Sequence, residues 1–158
     1  MEESKLLLSQ MIADMKSEAT ALKVENIQRI GLIKMIQNDV ERMNKFSTLE
    51  IYSIDLECLP KLKAEKEVFL YRMVQKIFTT ILKRSKASIA TIKHHQKGQK
   101  NLLVVSDNGV GFDQTEEEPI NMRFGNGLNN LKERCTIIGA ELDINSKKDN
   151  GNSVTITF

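Results

Sequence analysis

One short stretch constrains this chain more than any other: the apolar run "NLLVV" passes directly into "SDNGVGFD", over residues 101–113. The apolar run predicts a buried strand that ends at Asp107. Gly109 and Gly111 allow positive φ angles and the close approach of another group, while a carboxylate at a strand end accepts hydrogen bonds. The stretch therefore predicts the floor of a binding pocket rather than a simple turn.

A second pair of glycines, Gly125 and Gly127, stands where "GNGLNNLKER" passes from a loop into a helix. Backbone N–H groups at a helix N-terminus attract phosphate, so this pair predicts a phosphate-binding turn. Either pair alone is weak evidence, because most Gly-x-Gly sequences are only turns. Together, in this order around residues 112–126, they predict a site that holds a base at one end and phosphates at the other.

The hydrophobic periodicity predicts helices and strands in mixed order. The predicted helices are 3–25, 32 to about 46, 64–86 and 127–139, and the predicted strands are 49–57, 88–95, 101–107, 140–146 and 152–158. At least three connections read as tight turns or hairpins, which favours antiparallel neighbours over a doubly wound parallel sheet. We therefore expect an α/β (α+β) two-layer sandwich, with a mixed, mostly antiparallel sheet backed by helices and an N-terminal helical extension.

The first helical segment carries the apolar seam of a helix that packs against other helices. The seam residues are Leu8, Ile12, Met15, Ala19 and Leu22. Two interpretations stay open: the seam packs on the domain of its own chain, or it belongs to a dimerising bundle. We expect residues 1–26 to be the remnant of a dimerisation helix and residues 27–158 to form the globular domain.

Composition excludes several classes of protein. Twenty-three Lys+Arg against 21 Asp+Glu leave a net charge of +2, too even a balance for binding nucleic acid through bulk charge. No apolar run approaches the ~20 residues of a membrane span, and the N-terminus has no cleavage pattern. Cys58 and Cys135 lack metal-site or Cys-x-x-Cys neighbours, which favours reduced thiols. We expect a cytoplasmic domain with no nucleic-acid partner.

At the two glycine pairs, Gly109 with Gly111 and Gly125 with Gly127, the chain resembles the ATP-binding domain shared by sensor histidine kinases, gyrase, Hsp90 and the mismatch-repair ATPases. The likeness is greatest to bacterial histidine kinases of two-component systems. The matching stretches are "DNGVGFD" (107–113, the first glycine box), "GNGLNNLKER" (125–134, the second glycine box), "FLYRMVQKIFTTILK" (69–83, a long helix) and "GNSVTITF" (151–158, the last strand). The resemblance covers residues 27–158 and implies a shortened lid at 112–126.

The resemblance implies that ATP lies between the long helix and the lid. It implies that Asp107 accepts a hydrogen bond from the adenine amino group and that Gly109 and Gly111 let the base approach. The phosphate-binding residues that it implies are Gly125, Gly127, Leu128 and Lys83. Asn152 stands where the family usually has Thr, and the neighbouring Ser153 is a candidate substitute for that Thr.

The long helix departs from the family where metal chemistry is expected. The family has Gln-Glu followed four residues later by an Asn that binds Mg²⁺, whereas "QKIFTTILKR" places Lys76 at the acid and Thr80 at the Asn. No catalytic acid is therefore assigned, and both Mg²⁺ and Thr80 as its ligand are in doubt. An α-helical spacing keeps Lys76, Thr80 and Lys83 on one face. An ammonium supplies one positive charge but no octahedral oxygen ligand.

No acceptor histidine is recognisable, because His94 and His95 are predicted to be surface residues at the end of a strand. Two functions stay open. The first is the ATP-binding catalytic domain of a sensor histidine kinase, which transfers the γ-phosphoryl group to a histidine on a dimerisation segment outside this chain, in a homodimer with a response-regulator partner. The second is a non-catalytic pseudokinase that binds nucleotide weakly or as a regulatory ligand. The family favours the enzyme, whereas Lys76 and Thr80 leave catalytic turnover open. Whether a longer protein carries a membrane anchor elsewhere also stays open.

Overall fold

A computed structural model of the protein describes residues 20–111 and 127–158, together with Leu6 and Ser9. The helices are α1 (Thr20–Ile30), α2 (Leu32–Phe46), α3 (Ala64–Thr80) and α4 (Gly127–Ile137). The strands are β1 (Glu50–Ile54), β2 (Ile89–Lys97), β3 (Lys100–Asp107), β4 (Glu141–Ser146) and β5 (Asn152–Thr157). A 3₁₀ turn, Leu56–Cys58, follows β1, and a π-helical segment, Ile81–Ser85, continues α3.

The five strands form one sheet in the order β1-β2-β3-β5-β4. β1 pairs with β2 in parallel, and every other neighbouring pair is antiparallel. The parallel pair needs a long crossover, which α3 supplies, whereas β2 and β3 are joined by a tight turn at Gly98 with a φ of +62°. The predicted fold, a mixed and mostly antiparallel sheet backed by helices, is confirmed.

Strand alternation places one face of the sheet in the core. On this face the residues of the central strands include Ile92, Val105, Val154 and Ile156, each at most 2% exposed. They pack in one cluster with apolar side chains of the helices, among them Ile36, Met43, Met73, Val74 and Phe78. The alternate positions of β3 and β5 stay half-buried, as expected where the helices described here cover one face of the sheet.

Helix α1 joins this core through Ile27, which is fully buried. Gly31 links α1 to α2 with φ +85° and ψ 158°, a backbone region that is essentially restricted to glycine. A Cβ at Gly31 would meet no atom within 4 Å, so the backbone angles and not the space require glycine there. The seam residues from Leu8 to Ala19 lie outside the described residues, and their role in dimerisation stays a prediction.

Two details of the sequence-based expectations are wrong. β1 ends at Ile54 and not at residue 57, because Asp55 has a left-handed φ of 55° and turns the chain into the 3₁₀ segment. His94 is buried and not at the surface, since it lies on the core side of β2 with its Nε2 2.9 Å from Asn101 Oδ1. The long helix predicted over residues 64–86 is present, α-helical to Thr80 and π-helical from there to Ser85.

Both cysteines are free thiols, as predicted, with Cys58 exposed and Cys135 buried. Burial raises the pKa of the Cys135 thiol, whose Sγ lies 3.4 Å from Met73 Sδ between α4 and α3. None of the helices described combines the length and the apolar character needed to cross a membrane.

Candidate functional site

Asp107 ends β3 as a buried carboxylate, 8% exposed. The β3–β5 register places it directly opposite Asn152, and the β4–β5 register places Asn152 opposite Ser146. Because directly opposed residues share a face of the sheet, the three side chains form a row across three strands. Val105, two residues before Asp107, is part of the core, so the row lies on the helix-covered face.

Hydrogen bonds hold the Asp107 carboxylate from two sides. The backbone N–H of Gly109 donates to Oδ1 at 2.8 Å, and Asn152 Nδ2 donates to Oδ2 at 3.1 Å. Ser146 Oγ in turn donates to Asn152 Oδ1 at 2.6 Å. A carboxylate has about four acceptor positions, so these bonds fix the direction of Asp107 and leave it able to accept an N–H from a ligand.

Ser153, the predicted substitute for the family Thr, does not join this row. It pairs with Ser106 in the β3–β5 register, one position along from the pair of Asp107 with Asn152. Adjacent residues of a strand point to opposite faces, so Ser153 and Asp107 lie on different faces of the sheet. Asn152 alone occupies the position beside Asp107 on β5.

The glycines of the first glycine box are required by the protein's own packing. A Cβ on Gly109 would overlap the carbonyl oxygen of Ser85, and a Cβ on Gly111 would overlap that of Lys147. The N–H of Val110 donates to the same Ser85 oxygen at 2.8 Å. The close approach at these glycines is thus made by backbone at the end of the π-helical segment and in the β4–β5 hairpin. That the base also approaches here stays a prediction.

Two further residues of this region are not singled out by the sequence patterns. Gly151 has a φ of +78°, and a Cβ there would overlap the carbonyl oxygen of Asp107. Asn108 Oδ1 accepts hydrogen bonds from the N–H groups of Ser88 and Ile89, each at 2.9 Å, and so fixes the start of β2. A signal for Gly151 exists in the sequence, because a glycine directly before the last strand marks a position with positive φ.

The candidate site residues on α3 and its π-helical continuation are not all held on one face. Lys76 and Thr80 are half-buried on α3, and Lys83 is exposed in the π-helical segment. Thr80 Oγ1 donates to the backbone carbonyl oxygen of Lys76 at 2.9 Å. The wider π turn moves Lys83 away from the strict α-helical spacing that predicts all three residues on one face.

These helical residues do not fit a Mg²⁺ site. Mg²⁺ requires oxygen ligands in near-octahedral geometry, usually including a carboxylate. Lys76 offers an ammonium, and the hydroxyl of Thr80 is bonded to its own helix. Within residues 20–111 and 127–158, no group of three or more His, Cys, Asp or Glu side chains could hold a metal ion. The acceptor set of Asp107, by contrast, fits the amino group of adenine.

The predicted phosphate end lies at the start of α4. Gly127 begins this helix and Leu128 is in its first turn. The N-terminus of a helix favours an anionic group, and the phosphate-binding role of these residues stays a prediction. Gly125 and the predicted lid, residues 112–126, lie outside the described residues.

A second buried carboxylate, not predicted from the sequence, lies between α2 and α3. Asp39 is 7% exposed, and its Oδ2 accepts hydrogen bonds from Tyr71 Oη at 2.7 Å and from Gln75 Nε2 at 3.3 Å. We call these three residues the α2–α3 cluster. They line a cavity of about 220 Å³ together with the exposed Arg29 and Arg42. The position of Asp39 between Ile36 and Met43 on the apolar stripe of α2 is the signal that could have identified it.

Comparison with known proteins shows the family of this chain. Residues 65–158 match the family described as histidine kinase-, DNA gyrase B- and HSP90-like ATPase. The chain belongs to this family. Membership implies that the domain binds ATP, and the match includes both glycine boxes, the long helix α3 and the last strand.

Its curated relatives are sensor kinases. The chain is 24% identical, over 96% of its length, to the signal transduction histidine-protein kinase/phosphatase DegS of Brevibacillus brevis. It is 28% identical, over 95% of its length, to the sensor protein VraS of Staphylococcus saprophyticus. It covers 38% and 43% of those two proteins, and so spans less than half their length. These relatives give no support to the pseudokinase alternative.

Solved structures share the fold. The histidine kinase domain of the blue-light activated histidine kinase EL346 from Erythrobacter litoralis superposes with a TM-score of 0.62 at 14% identity, over 80% of this chain and 64% of that one. The catalytic domain of the histidine kinase ThkA gives a TM-score of 0.61 at 11% identity, over 80% of this chain and 88% of that one. At such low identity the likeness establishes the fold.

Proposed function

We propose that this chain is the ATP-binding catalytic domain of a sensor histidine kinase in two-component signal transduction. It transfers the γ-phosphoryl group of ATP to a histidine outside this segment, on a dimerisation segment of the full protein, from which a response regulator receives it. The protein acts as a homodimer in the cytoplasm, with residues 27–158 as the ATP-binding domain and 112–126 as its lid. The observation that carries the proposal is the Asp107 carboxylate, buried in the first glycine box and aligned by Gly109 and Asn152.

Each end of the site has a distinct role in this proposal. Asp107 accepts a hydrogen bond from the adenine amino group, because a carboxylate is an acceptor only. The N-terminus of α4, with Gly125, Gly127 and Leu128, binds the phosphates through backbone N–H groups. Lys83 adds an exposed ammonium for the phosphates. Positioning and neutralisation of charge are the main contributions that a protein makes to phosphoryl transfer.

We further propose that Mg²⁺ contributes little to nucleotide binding here. Lys76 places a positive charge at the family's acid position and supplies part of the charge that a metal ion would bring. At ~4–6 Å and an effective dielectric constant of about 20, an ammonium and a divalent cation repel by several kcal/mol before screening by solvent and phosphate. That repulsion opposes joint occupancy of the site by Lys76 and a divalent ion.

The test has two stages. Calorimetric titration of the chain with ATP should show saturable binding, and incubation with γ-labelled ATP and a histidine-bearing dimerisation segment from a related kinase should give acid-labile phosphate on that segment. Asp107→Asn should reduce both signals, while Asp39→Asn, at an equally buried aspartate outside the glycine box, is the matched control. Absence of ATP binding refutes the proposal, and binding without any phosphorylation of the supplied segment returns the function to the pseudokinase alternative.

A further inference from the structure

The row formed by Ser146, Asn152 and Asp107 can be hydrogen-bonded in only one direction. A carboxylate donates no hydrogen bond, so the atom of Asn152 that faces Asp107 must be the amide nitrogen. The amide oxygen of Asn152 is then turned toward Ser146, whose hydroxyl donates to it at 2.6 Å. The hydroxyl lies 3.4 Å from the carbonyl oxygen of Gly151, so its single hydrogen favours the shorter bond to Asn152. The Asp107 carboxylate thereby fixes the direction of both side-chain hydrogen bonds in the row.

This arrangement of hydrogen bonds leaves one N–H of the Asn152 amide pointing away from the row. The amide nitrogen of Asn152 carries two hydrogens, and both of its contacts in the described part of the chain are with the Asp107 carboxylate, at 3.1 and 3.5 Å. One hydrogen satisfies the carboxylate, and the other is held at a fixed angle because the amide is planar. Asn152 is half-buried, and a ligand that contacts Asp107 would meet this N–H. Asp107 and Asn152 thus present an acceptor and a donor side by side.

We propose that Ser146 is a positioning residue for nucleobase selection. By holding the amide oxygen of Asn152, it keeps an N–H beside the Asp107 carboxylate. The pair then matches a 6-aminopurine, which presents an amino donor next to a ring-nitrogen acceptor. A 6-oxopurine presents a carbonyl acceptor next to a ring N–H, so its oxygen faces the carboxylate and both contacts become unfavourable. The inference rests on the proposed function and adds to it the group that selects the base.

The second N–H of Asn152 keeps its direction only while Ser146 holds the amide. Without the Ser146 hydroxyl the amide oxygen loses its buried partner, and the amide plane can rotate about the side-chain bond. Asp107 would still accept the amino group, so ATP binding would persist while part of the discrimination between bases is lost. The loss corresponds to one ordinary hydrogen bond, roughly a threefold to tenfold effect.

The experiment compares ATP with ITP, which differs in the purine only by replacement of the 6-amino group with a 6-oxo group. Calorimetry gives the ratio of the two affinities for the unmodified chain, for Ser146→Ala and for Ser146→Thr. We expect Ser146→Ala to lower the ATP:ITP ratio roughly threefold to tenfold, and Ser146→Thr, which keeps a hydroxyl, to restore it. Asn145→Ala is the matched control, since this exposed neighbour on β4 pairs with Ser153 and points to the other face.

A purely structural role for Ser146 would weaken ATP and ITP by the same factor and leave the ratio unchanged, and that result would overturn the inference. Asn152→Leu alone supplies a second test that does not need a folded Ser146→Ala protein. It should lower the ratio further, and an unchanged ratio would overturn the inference. In the double variant, Ser146→Ala added to Asn152→Leu should change nothing more, because the two residues act through one group. Equal shifts from Ser146→Ala in both backgrounds would also refute the proposal. If ATP does not bind at all, the proposed function fails together with this inference.

Discussion

Asp107 and Asp39, the two buried aspartates within residues 20–111 and 127–158, are almost equally inaccessible, at 8% and 7% exposure. Both accept hydrogen bonds from uncharged donors, and a buried carboxylate generally needs hydrogen-bond partners. Their donors differ in kind. Asp107 is held by a backbone N–H and by a short amide on a paired strand, whereas Asp39 is held by the long side chains of Tyr71 and Gln75 on a neighbouring helix.

This difference separates the proposed binding group, whose partners are preorganised, from an internal link between helices. The partners of Asp107 are fixed by the sheet register and by glycines whose missing Cβ atoms leave room for backbone. The partners of Asp39 depend on rotatable side chains beside a cavity of about 220 Å³. Burial alone therefore does not identify a ligand site. The proposal for Asp107 rests instead on a carboxylate that backbone fixes at a strand end, within a glycine box that the family match includes.

The largest effect is expected from Gly151→Ala, which tests how tightly the Asp107 region is built. The substitution imposes a left-handed backbone on alanine and forces a Cβ against the carbonyl oxygen of Asp107. We expect the free energy of unfolding, measured in urea, to fall by about 2–5 kcal/mol, the sum of the two costs. Gly98→Ala is the control, because Gly98 has a similar φ of +62° but no atom near a Cβ. An equal loss in both variants would show that packing around Asp107 is loose.

The next largest effect is expected on ATP affinity, which should differ between substitutions of the two aspartates. Asp107→Asn removes the charged acceptor, and we expect ATP binding to weaken by about 1.5–3 kcal/mol while the circular dichroism spectrum is unchanged. Asp39→Asn should leave the ATP affinity unchanged, because its contacts link α2 to α3 and lie outside the glycine box. Isothermal titration of both variants measures the contrast. Equal weakening of ATP binding would end the distinction between a binding carboxylate and a structural one.

A smaller effect tests the structural role of the α2–α3 cluster. Tyr71→Phe deletes the hydroxyl that donates to Asp39, and the free energy of unfolding should fall by about 1.5 kcal/mol, since Gln75 still donates to the same carboxylate. Tyr52→Phe is the control at an exposed hydroxyl that bonds to Glu50, and we expect no measurable change there. ATP affinity should be the same in both variants. No change in the stability of Tyr71→Phe would argue that the cluster contributes nothing to folding.

The smallest effect concerns the metal. Because α3 lacks oxygen ligands at the family's acid and Asn positions, we expect the ATP affinity of the unmodified chain to differ less than tenfold between Mg²⁺ and a chelator, which is under about 1.4 kcal/mol. Lys76→Glu combined with Thr80→Asn should restore a larger dependence, as it removes the competing charge and provides an oxygen ligand. Titrations at constant ionic strength measure both. A tenfold or greater gain with Mg²⁺ in the unmodified chain would contradict the proposal for Lys76.

Local patterns in the sequence predict most of the fold. The order of helices and strands, the turn at Gly98 and the β4–β5 hairpin follow from hydrophobic period and turn residues, which are properties of short segments. Asp107 and the first glycine box are recognisable for the same reason, since a strand, an acid and two glycines stand next to each other in the chain. The substitutions at Lys76 and Thr80 are likewise visible without any coordinates.

The tertiary structure alone decides which distant residues meet. Gly109 is needed because the backbone of Ser85 crosses over it, and Ser146 matters because the strand register places it beside Asn152. His94 is buried because the register turns it to the core face, and Asp39 is a cluster residue because α3 packs against α2. Such contacts join segments far apart in sequence. They depend on register and packing angle, which the composition of neither segment specifies on its own.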